Sequence, residues 1–249
     1  MSLLEEITPS PRKIMTLFYL VDTSGSMTGS RMGTVNAAME ECIPLLKEVA
    51  QANDDAEIKV AILQFSSGHS WITPASGPVG LDEIIWNDLQ AGGMTELGGA
   101  LLELDKKLSR NGFLQSQTGA YAPVILLLSD GGPTDDWETA LAKIRENNWF
   151  KHAIKIAIDI ESGSDRSMLA QFTGNAEAIL DAKDTNTLKK MIHKVSVRAS
   201  EFQSHSKQSA ETVSTPEQDA ADIVNAVEFD VNNEESGGVS TDDSDWGDW

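Results

Sequence analysis

The sequence predicts an α/β fold with a doubly wound, mostly parallel central sheet that carries helices on both faces. Two continuous apolar runs, residues 14–21 and 123–129, are typical of strands buried on both sides of a parallel sheet. Each run leads directly into an aspartate, Asp22 and Asp130. Elsewhere, apolar residues recur at three- and four-residue spacing, which indicates amphipathic helices. Strand and helix patterns alternate along the chain, and this alternation predicts a parallel sheet covered by helices.

The individual elements follow from these patterns in order. Apolar segments predict strands over residues 14–21, 58–65, 71–73, 123–129, 153–158 and 178–180, with 71–73 as a short edge strand. Helix periodicity predicts helices over residues 33–52, 97–108, 134–147, 168–172 and 188–199. We expect Thr134 to cap the third helix, because Asp135 and Asp136 would then lie at the positive end of its dipole.

The chain is strongly acidic, and this charge excludes some classes of binding partner. Its 249 residues contain 39 acidic and 19 basic side chains, so the formal net charge is −20. A surface of this charge repels phosphate backbones and anionic lipids, so we expect neither a nucleic-acid partner nor a membrane partner. No apolar run reaches the roughly 18 residues of a membrane helix, and the first residues lack a secretory pattern. Together with a single cysteine, Cys42, these features favour a cytoplasmic protein.

The acidic residues are concentrated towards the C-terminal end, and this divides the chain. Residues 201–249 contain 13 acidic residues and one basic residue, a net charge of −12. We therefore predict an N-terminal lead over residues 1–13, a globular domain over 14–200 and an acidic extension over 201–249. The extension is predicted to be flexible or partner-docking, to lack a core of its own and to be dispensable for folding.

Three interpretations of this extension stay open. Thr215 can cap a short helix with Pro216 in its first turn and a modest apolar face within residues 220–229. The segment could be a solvated tail, or a docking peptide whose terminal tryptophans anchor in a basic partner. It could also inhibit the domain by placing one of its carboxylates on a metal site, which the residues at the ends of the predicted strands indicate.

Side chains with hard oxygen atoms occur where the predicted strands end. Asp22, Ser24 and Ser26 follow the first strand, Thr95 stands in a glycine-rich loop before a helix, and Asp130 follows the strand over 123–129. Ligands of such folds bind beyond the carboxyl ends of the strands, so we expect these five residues to lie together. Two carboxylates and three hydroxyls, with no histidine or cysteine nearby in sequence, favour Mg²⁺ or Mn²⁺ over zinc.

Other interpretations of these residues have less support. Asp22, Ser24 and Ser26 alone could form an ordinary turn, but Thr95 and Asp130 at matching junctions favour a metal site. A serine nucleophile lacks both the Gly-x-Ser-x-Gly pattern and a neighbouring histidine. No Asp-x-Asp motif marks Asp22 as a phosphorylation site, and a Gly-x-x-x-x-Gly-Lys phosphate loop is absent. An Mg²⁺-dependent phosphohydrolase that uses the same carboxylates stays open as the enzymatic alternative.

This pattern resembles the metal-ion-dependent adhesion site of von Willebrand factor type A domains. The segment Asp-Thr-Ser-Gly-Ser-Met at 22–27 matches the family's first loop, and Thr95 and Asp130 match its loop threonine and later aspartate. The resemblance spans about residues 15–197. It implies a Rossmann-like sheet and metal ligation by Asp22, Ser24 and Ser26, with Thr95 and Asp130 ligating directly or through water. It also implies an open metal position that accepts an acidic residue from a protein partner.

Within this family the chain resembles bacterial tellurium-resistance-associated proteins of the TerY type. The residues behind this narrower resemblance are Val35, Asn36 and the segment Asp-Gly-Gly-Pro-Thr-Asp-Asp-Trp at 130–137. It implies a non-enzymatic cytoplasmic adaptor in a bacterial tellurite or stress response, or in a phosphosignalling complex with protein kinase and phosphatase partners. Asp135, Asp136 and Trp137 form either a specificity rim near the metal or a plain helix start with a packing tryptophan.

Overall fold

The structure is a computed structural model that describes residues 12–53, 56–160, 166–205 and 214–236, and its centre is a seven-stranded sheet. The strands are β1 Lys13–Asp22, β2 Ala56–Ser66, β3 Gly68–Trp71, β4 Val79–Gly80, β5 Val124–Ser129, β6 Ile154–Ile160 and β7 Ile179–Ala182. Their spatial order is β3-β2-β1-β5-β6-β7, and β4 also pairs with β2. Only the pairings of β3 and β4 with β2 are antiparallel among these strands. The prediction of a mostly parallel α/β sheet is confirmed.

Helices cover both faces of this sheet. They are α1 Ser30–Ala52, α2 Leu97–Lys107, α3 Trp137–Ile144, α4 Asn148–His152, α5 Arg166–Thr173, α6 Thr185–His205 and α7 Pro216–Ser236. The central strand β1 shows why both faces need cover. Leu17 and Tyr19 join a cluster with α1, α6 and α7, while Phe18 and Leu20 join a second cluster with α2, α3 and α5. All four side chains are buried, so the continuous apolar run serves two cores at once.

The edge beyond β2 differs from the prediction. The short strand expected over residues 71–73 ends instead at Trp71, which pairs with Leu63 of β2 in antiparallel register. The next two residues still bond to β2: Ile72 N donates to Ile62 O at 2.8 Å, and Ile62 N donates to Thr73 Oγ1 at 3.0 Å. The ladder therefore ends with a side-chain hydrogen bond rather than with further strand.

The helix expected over residues 134–147 is shorter and corresponds to α3, Trp137–Ile144. It is capped by Asp136, whose carboxylate accepts a hydrogen bond from Thr139 N at 3.3 Å. The helix α4, which was not predicted, begins just after the expected range and is capped by Asn147. The prediction that Thr134 is the N-cap is wrong, because Thr134 binds Thr95. Thr134 N donates to Thr95 O at 2.8 Å, and Thr95 N donates to Thr134 Oγ1 at 3.1 Å.

The acidic extension contains a long helix that packs against the domain. Thr215 caps α7 as expected, since its hydroxyl accepts a hydrogen bond from Gln218 N at 3.3 Å. The buried face of α7 consists of small and β-branched residues: Ala220, Ala221, Ile223, Val224, Val227 and Val231. The expected flexibility therefore does not describe Pro216–Ser236, whereas partner docking by the extension and its dispensability for folding stay predictions. Removing this helix would expose apolar surface of the core.

Basic side chains of the domain neutralise part of the charge on α7. Lys155 Nζ lies 3.6 Å from Glu217 Oε1, and Asp230 Oδ2 lies 3.1 Å from Arg198 Nη2 and 3.8 Å from Lys194 Nζ. Burial lowers the pKa of Lys155, and the negative charge of Glu217 opposes this change. The helix is thus held by an apolar face and by ion pairs at its borders.

Some predictions concern residues outside the described ranges. The terminal tryptophans expected to anchor a partner, Trp246 and Trp249, lie in this group, as do residues 1–11 of the N-terminal lead. Lys13, assigned to the lead, begins β1. Within the ranges that the structure describes, no helix is both long and apolar enough to cross a bilayer.

Candidate metal site

The two predicted carboxylates emerge side by side at the carboxyl ends of neighbouring strands. Asp22 is the last residue of β1, and Asp130 directly follows the last residue of β5. The parallel register pairs Val21 with Leu128, which places the ends of both strands at the same edge of the sheet. The topology therefore brings together two residues that are 108 positions apart in the sequence.

Backbone contacts hold the loop that carries Thr95 against the other two loops. Gly25 N donates to Gly93 O at 3.0 Å, and a Cβ on Gly25 would lie only 3.1 Å from that oxygen. A side chain at position 25 would require Gly93 to move by a few tenths of an ångström, so this close approach favours glycine. On its other side, Thr95 exchanges two hydrogen bonds with Thr134. Thr95 is thus fixed between the loop after β1 and the loop after β5.

Asp22 is fully buried, and neutral donors hold its carboxylate. Ser24 N donates to Oδ1 at 2.8 Å, and the Ser129 hydroxyl donates to Oδ2 at 2.6 Å. Burial raises the pKa of Asp22; the hydrogen bonds from Ser129 and Ser24 oppose this rise, and the negative charge of Asp130 adds to it. This carboxylate is fixed in position, and a nearby cation would stabilise its ionised form.

A chain of oxygen atoms connects the first loop to Asp130. The Ser24 and Ser26 hydroxyl oxygens lie 3.0 Å apart, and the Ser26 hydroxyl donates to Asp130 Oδ1 at 2.9 Å. Ser26, Thr95 and Asp130 line a cleft of about 430 Å³ together with Gly25, Gly93, Met94, Gly131, Gly132 and Thr134. The structure therefore brings the five predicted site residues to one place, with part of the set open to an incoming group.

This donor set fits a small, hard divalent ion. In an octahedral shell with metal–oxygen distances of about 2.1 Å, neighbouring oxygen atoms lie about 3 Å apart. The Ser24–Ser26 and Ser26–Asp130 oxygen separations of 3.0 and 2.9 Å match this spacing. Among the residues that the structure describes, no group of three His, Cys, Asp or Glu side chains is placed to hold a metal. An ion at this edge would need hydroxyl or water oxygens beside the two carboxylates. Such a shell of oxygen atoms suits Mg²⁺ or Mn²⁺, whereas structural zinc sites are built mainly from Cys and His ligands.

Sequence reasoning missed two residues that contact the predicted ligands. Ser129 was assigned only to the end of a strand, although its position before Asp130 makes it a neighbour of Asp22 in the adjacent strand. Arg31 was not singled out, and its Nη1 lies 3.0 Å from Asp130 Oδ2. Nothing in the local sequence indicates this second contact, which depends on how the start of α1 approaches the loop after β5.

Residues 135–137, considered as a specificity rim or a helix start, make the contacts of a helix start. Both carboxylate oxygens of Asp135 accept hydrogen bonds at 3.1 Å from the first turn of α2, at Gly98 N and Gly99 N. Asp136 caps α3, and Trp137 packs against the second core cluster. These three residues therefore join α3 to α2, as the helix-start interpretation predicts.

Comparisons with known proteins agree with this architecture. A family model described as the von Willebrand factor type A domain matches residues 17–194. A comparison with curated protein sequences gives no significant match.

Solved structures share the fold at low sequence identity. The pilus adhesin SpaC from Lactobacillus rhamnosus GG is 13% identical with a TM-score of 0.57, over 75% of this chain and 31% of that one. Proximal thread matrix protein 1 from the mussel byssus, with a zinc-occupied metal-ion-dependent adhesion motif, is 16% identical with a TM-score of 0.51, over 76% and 46%. A von Willebrand factor type A protein from Catenulispora acidiphila is 16% identical with a TM-score of 0.54, over 76% and 43%. The chain thus spans less than half of each protein, and the likeness shows the fold alone.

Proposed function

The chain belongs to the von Willebrand factor type A domain family, whose members commonly act as metal-dependent protein-interaction modules, and we propose that this is its function. The ion would be Mg²⁺ or Mn²⁺, held by Asp22, Ser24, Ser26, Thr95 and Asp130. The observation that carries the proposal is the chain of oxygen atoms that links the two serines to Asp130 beside the buried Asp22.

The charges of the site explain how it would bind a partner. When bound, the ion supplies a Lewis-acidic position for a carboxylate oxygen of a partner protein. Asp22 and Asp130 together neutralise a divalent ion, while the hydroxyls of Ser24 and Ser26 add oxygen atoms without adding charge. Among the described residues, no third Asp, Glu, His or Cys side chain completes a metal-holding group with Asp22 and Asp130, so a position is left for an acidic side chain from outside. The open cleft beside Thr95 is wide enough for such a group.

A narrower role is part of this proposal. We assign the chain to the TerY type of tellurium-resistance-associated proteins, as a cytoplasmic, non-enzymatic adaptor in a bacterial stress-response or phosphosignalling complex. Protein kinases and phosphatases are the proposed partners. The support is the resemblance at Val35, Asn36 and residues 130–137. A net charge of −20 agrees with the expected absence of nucleic-acid and membrane partners.

Affinity capture from a bacterial lysate tests the function. The full chain, Asp22→Ala and a control variant, Glu57→Ala at the amino end of β2, are compared in Mg²⁺ and in EDTA. We expect a partner that binds the wild type and the control in Mg²⁺ only, and that is lost with Asp22→Ala. Identical capture under all conditions would contradict the proposal. Metal-dependent turnover of a phosphoester would support the phosphohydrolase instead.

A further inference from the structure

Arg31, in the first turn of α1, contacts two of the segments that carry proposed metal ligands. Its Nη1 lies 3.0 Å from Asp130 Oδ2 and donates to the backbone oxygen of Ser26 at 2.8 Å. The other carboxylate oxygen, Asp130 Oδ1, accepts the Ser26 hydroxyl at 2.9 Å. Asp130 is therefore held at both oxygens, and one of the two is in contact with a positive charge.

We propose that Arg31 is a positioning residue that sets two properties of the site: its affinity for the divalent ion, and the attraction of the loaded ion for a carboxylate. This inference rests on the proposed function, because it assumes that the site holds an ion. It concerns the regulation of that site and names a residue outside the ligand set.

The charges around the site give the direction of both effects. Asp22, Asp130 and Arg31 together carry one net negative charge, which a divalent ion turns into one net positive charge. With a neutral residue at position 31, the two carboxylates would bring the loaded site to zero. Because electrostatic energy depends on the charges close to the ion, Arg31 weakens the binding of the cation. For the same reason it leaves the loaded site positive and therefore attractive to a partner carboxylate.

The contact differs from an ordinary surface ion pair. The side chain of Asp130 is 8% exposed and that of Arg31 is 34% exposed, so solvent screens this pair only in part. The second bond, to the backbone of Ser26, fixes the guanidinium between the two ligand-bearing segments. Arg166 offers a matched comparison, because its Nη1 lies 3.2 Å from Asp181 Oδ2 and its side chain is 45% exposed. Arg166 pairs with an aspartate of β7 instead of with a proposed ligand.

Titration of Mn²⁺ into the full-length protein, followed by electron paramagnetic resonance, tests the first effect. The proteins are wild type, Arg31→Gln, Arg31→Lys and Arg166→Gln. We expect Arg31→Gln to bind Mn²⁺ about threefold to tenfold more tightly than wild type, because one nearby positive charge is lost. Arg31→Lys keeps the charge and should restore an affinity close to that of wild type. Arg166→Gln changes the net charge of the protein equally and should leave the affinity unchanged.

The second effect is read from water-proton relaxation of the Mn²⁺-loaded proteins as acetate is added. Acetate should bind more weakly to loaded Arg31→Gln than to loaded wild type. Equal or weaker Mn²⁺ binding by Arg31→Gln, with wild type binding normally, would overturn the inference and leave the proposed function standing. Equal tightening by Arg166→Gln would also overturn it, because net charge would then be the cause. Failure of wild type and Arg166→Gln to bind Mn²⁺ would overturn the proposed function and this inference together.

Discussion

Asp22 at the loop edge of the sheet and the acidic residues of helix α7 are held in opposite ways. At the edge, Asp22 is buried and is held by the Ser24 amide and the Ser129 hydroxyl, which are neutral donors. On α7, Glu217 and Asp230 pair with lysine and arginine side chains of the domain, and apolar residues make the main contact. The negative charge of Asp22 thus stays available for a ligand, whereas the ion pairs of Glu217 and Asp230 help to hold α7 on the domain.

This difference predicts two separable kinds of variant. Substitutions at the edge should change ion binding more than the stability of the metal-free protein. Substitutions on the buried face of α7 should lower stability and leave the intrinsic ion affinity of the folded protein unchanged.

A charge on the buried face of α7 should cause the largest loss of stability. Val227 is fully buried, so Val227→Asp removes apolar contact and places an ionised group in the core. We expect the free energy of unfolding to fall by at least about 3 kcal/mol. Phe229 is 68% exposed on the same helix, and Phe229→Asp adds the same charge. Urea unfolding of both variants should show a large change for the first and little for the second, and equal changes would contradict the packing of α7.

Removal of the Thr95 hydroxyl should reduce the stabilisation that Mg²⁺ gives. An ion that binds only the folded state adds about 2.7 kcal/mol at a hundredfold excess over its dissociation constant. We expect Thr95→Ala to lose much of this gain, while Thr95→Ser keeps it because the oxygen atom remains. Melting temperatures in EDTA should be similar, since the backbone bonds to Thr134 persist in both variants. Equal Mg²⁺ stabilisation of Thr95→Ala and wild type would remove Thr95 from the ligand set.

The metal-free protein should be more stable with asparagine at position 22. Burial raises the pKa of Asp22, so the stability linked to its proton is fully present below the usual value of 3.8 and is lost as pH rises through the raised value. At neutral pH, ionised Asp22 is therefore unfavourable in EDTA. We expect Asp22→Asn to unfold at a higher urea concentration than wild type at pH 7.

This difference should shrink as the pH falls towards 4, because wild-type Asp22 then takes up its proton. Urea unfolding in EDTA across this pH range measures the difference directly. A gap that widens on acidification would show that the sign of the Asp22 contribution is wrong.

Loss of the ion pair at the start of α7 should have the smallest effect. Lys155 is 5% exposed, but the side chain of Glu217 is 38% exposed, so solvent screens the pair in part. We expect Glu217→Gln to cost about 0.5–1 kcal/mol in urea unfolding. Glu228→Gln, an exposed position on the same helix, is the control and should cost less. If both variants unfold like wild type, the pair has no role in holding α7.

The sequence predicts the sheet and the place of the site because local patterns carry that information. The apolar runs that become β1 and β5 are buried on both faces, and each must end at the same edge of a parallel sheet. Asp22 and Asp130 follow those runs directly, so the topology alone brings them together. The long reach of Arg31 to Asp130 has no local signature, because it depends on the tertiary approach of α1.

The packing of α7 was missed for a different reason. Net charge averaged over residues 201–249 conceals a stripe at helical spacing, which includes Ala220, Val224, Val227 and Val231. The periodicity is visible in the sequence. The surface on which this stripe packs is formed by α6, β6 and β7, and it cannot be predicted from the local sequence. Similarly, the local sequence around Thr134 is typical of a helix cap, but its hydroxyl accepts a hydrogen bond from Thr95 N, a tertiary contact that the local sequence does not indicate.

Calorimetric titration of Mg²⁺ and Mn²⁺ into the full-length protein tests whether this edge of the sheet binds a divalent ion. Asp22→Asn preserves the size of the buried side chain and removes its charge, while Glu57→Gln removes a charge from the distant end of β2. We predict saturable binding of one ion to wild type and Glu57→Gln, and binding at least about tenfold weaker for Asp22→Asn. Absence of saturable binding to wild type, or equal affinity for Asp22→Asn, would contradict the assignment of this edge as a metal site.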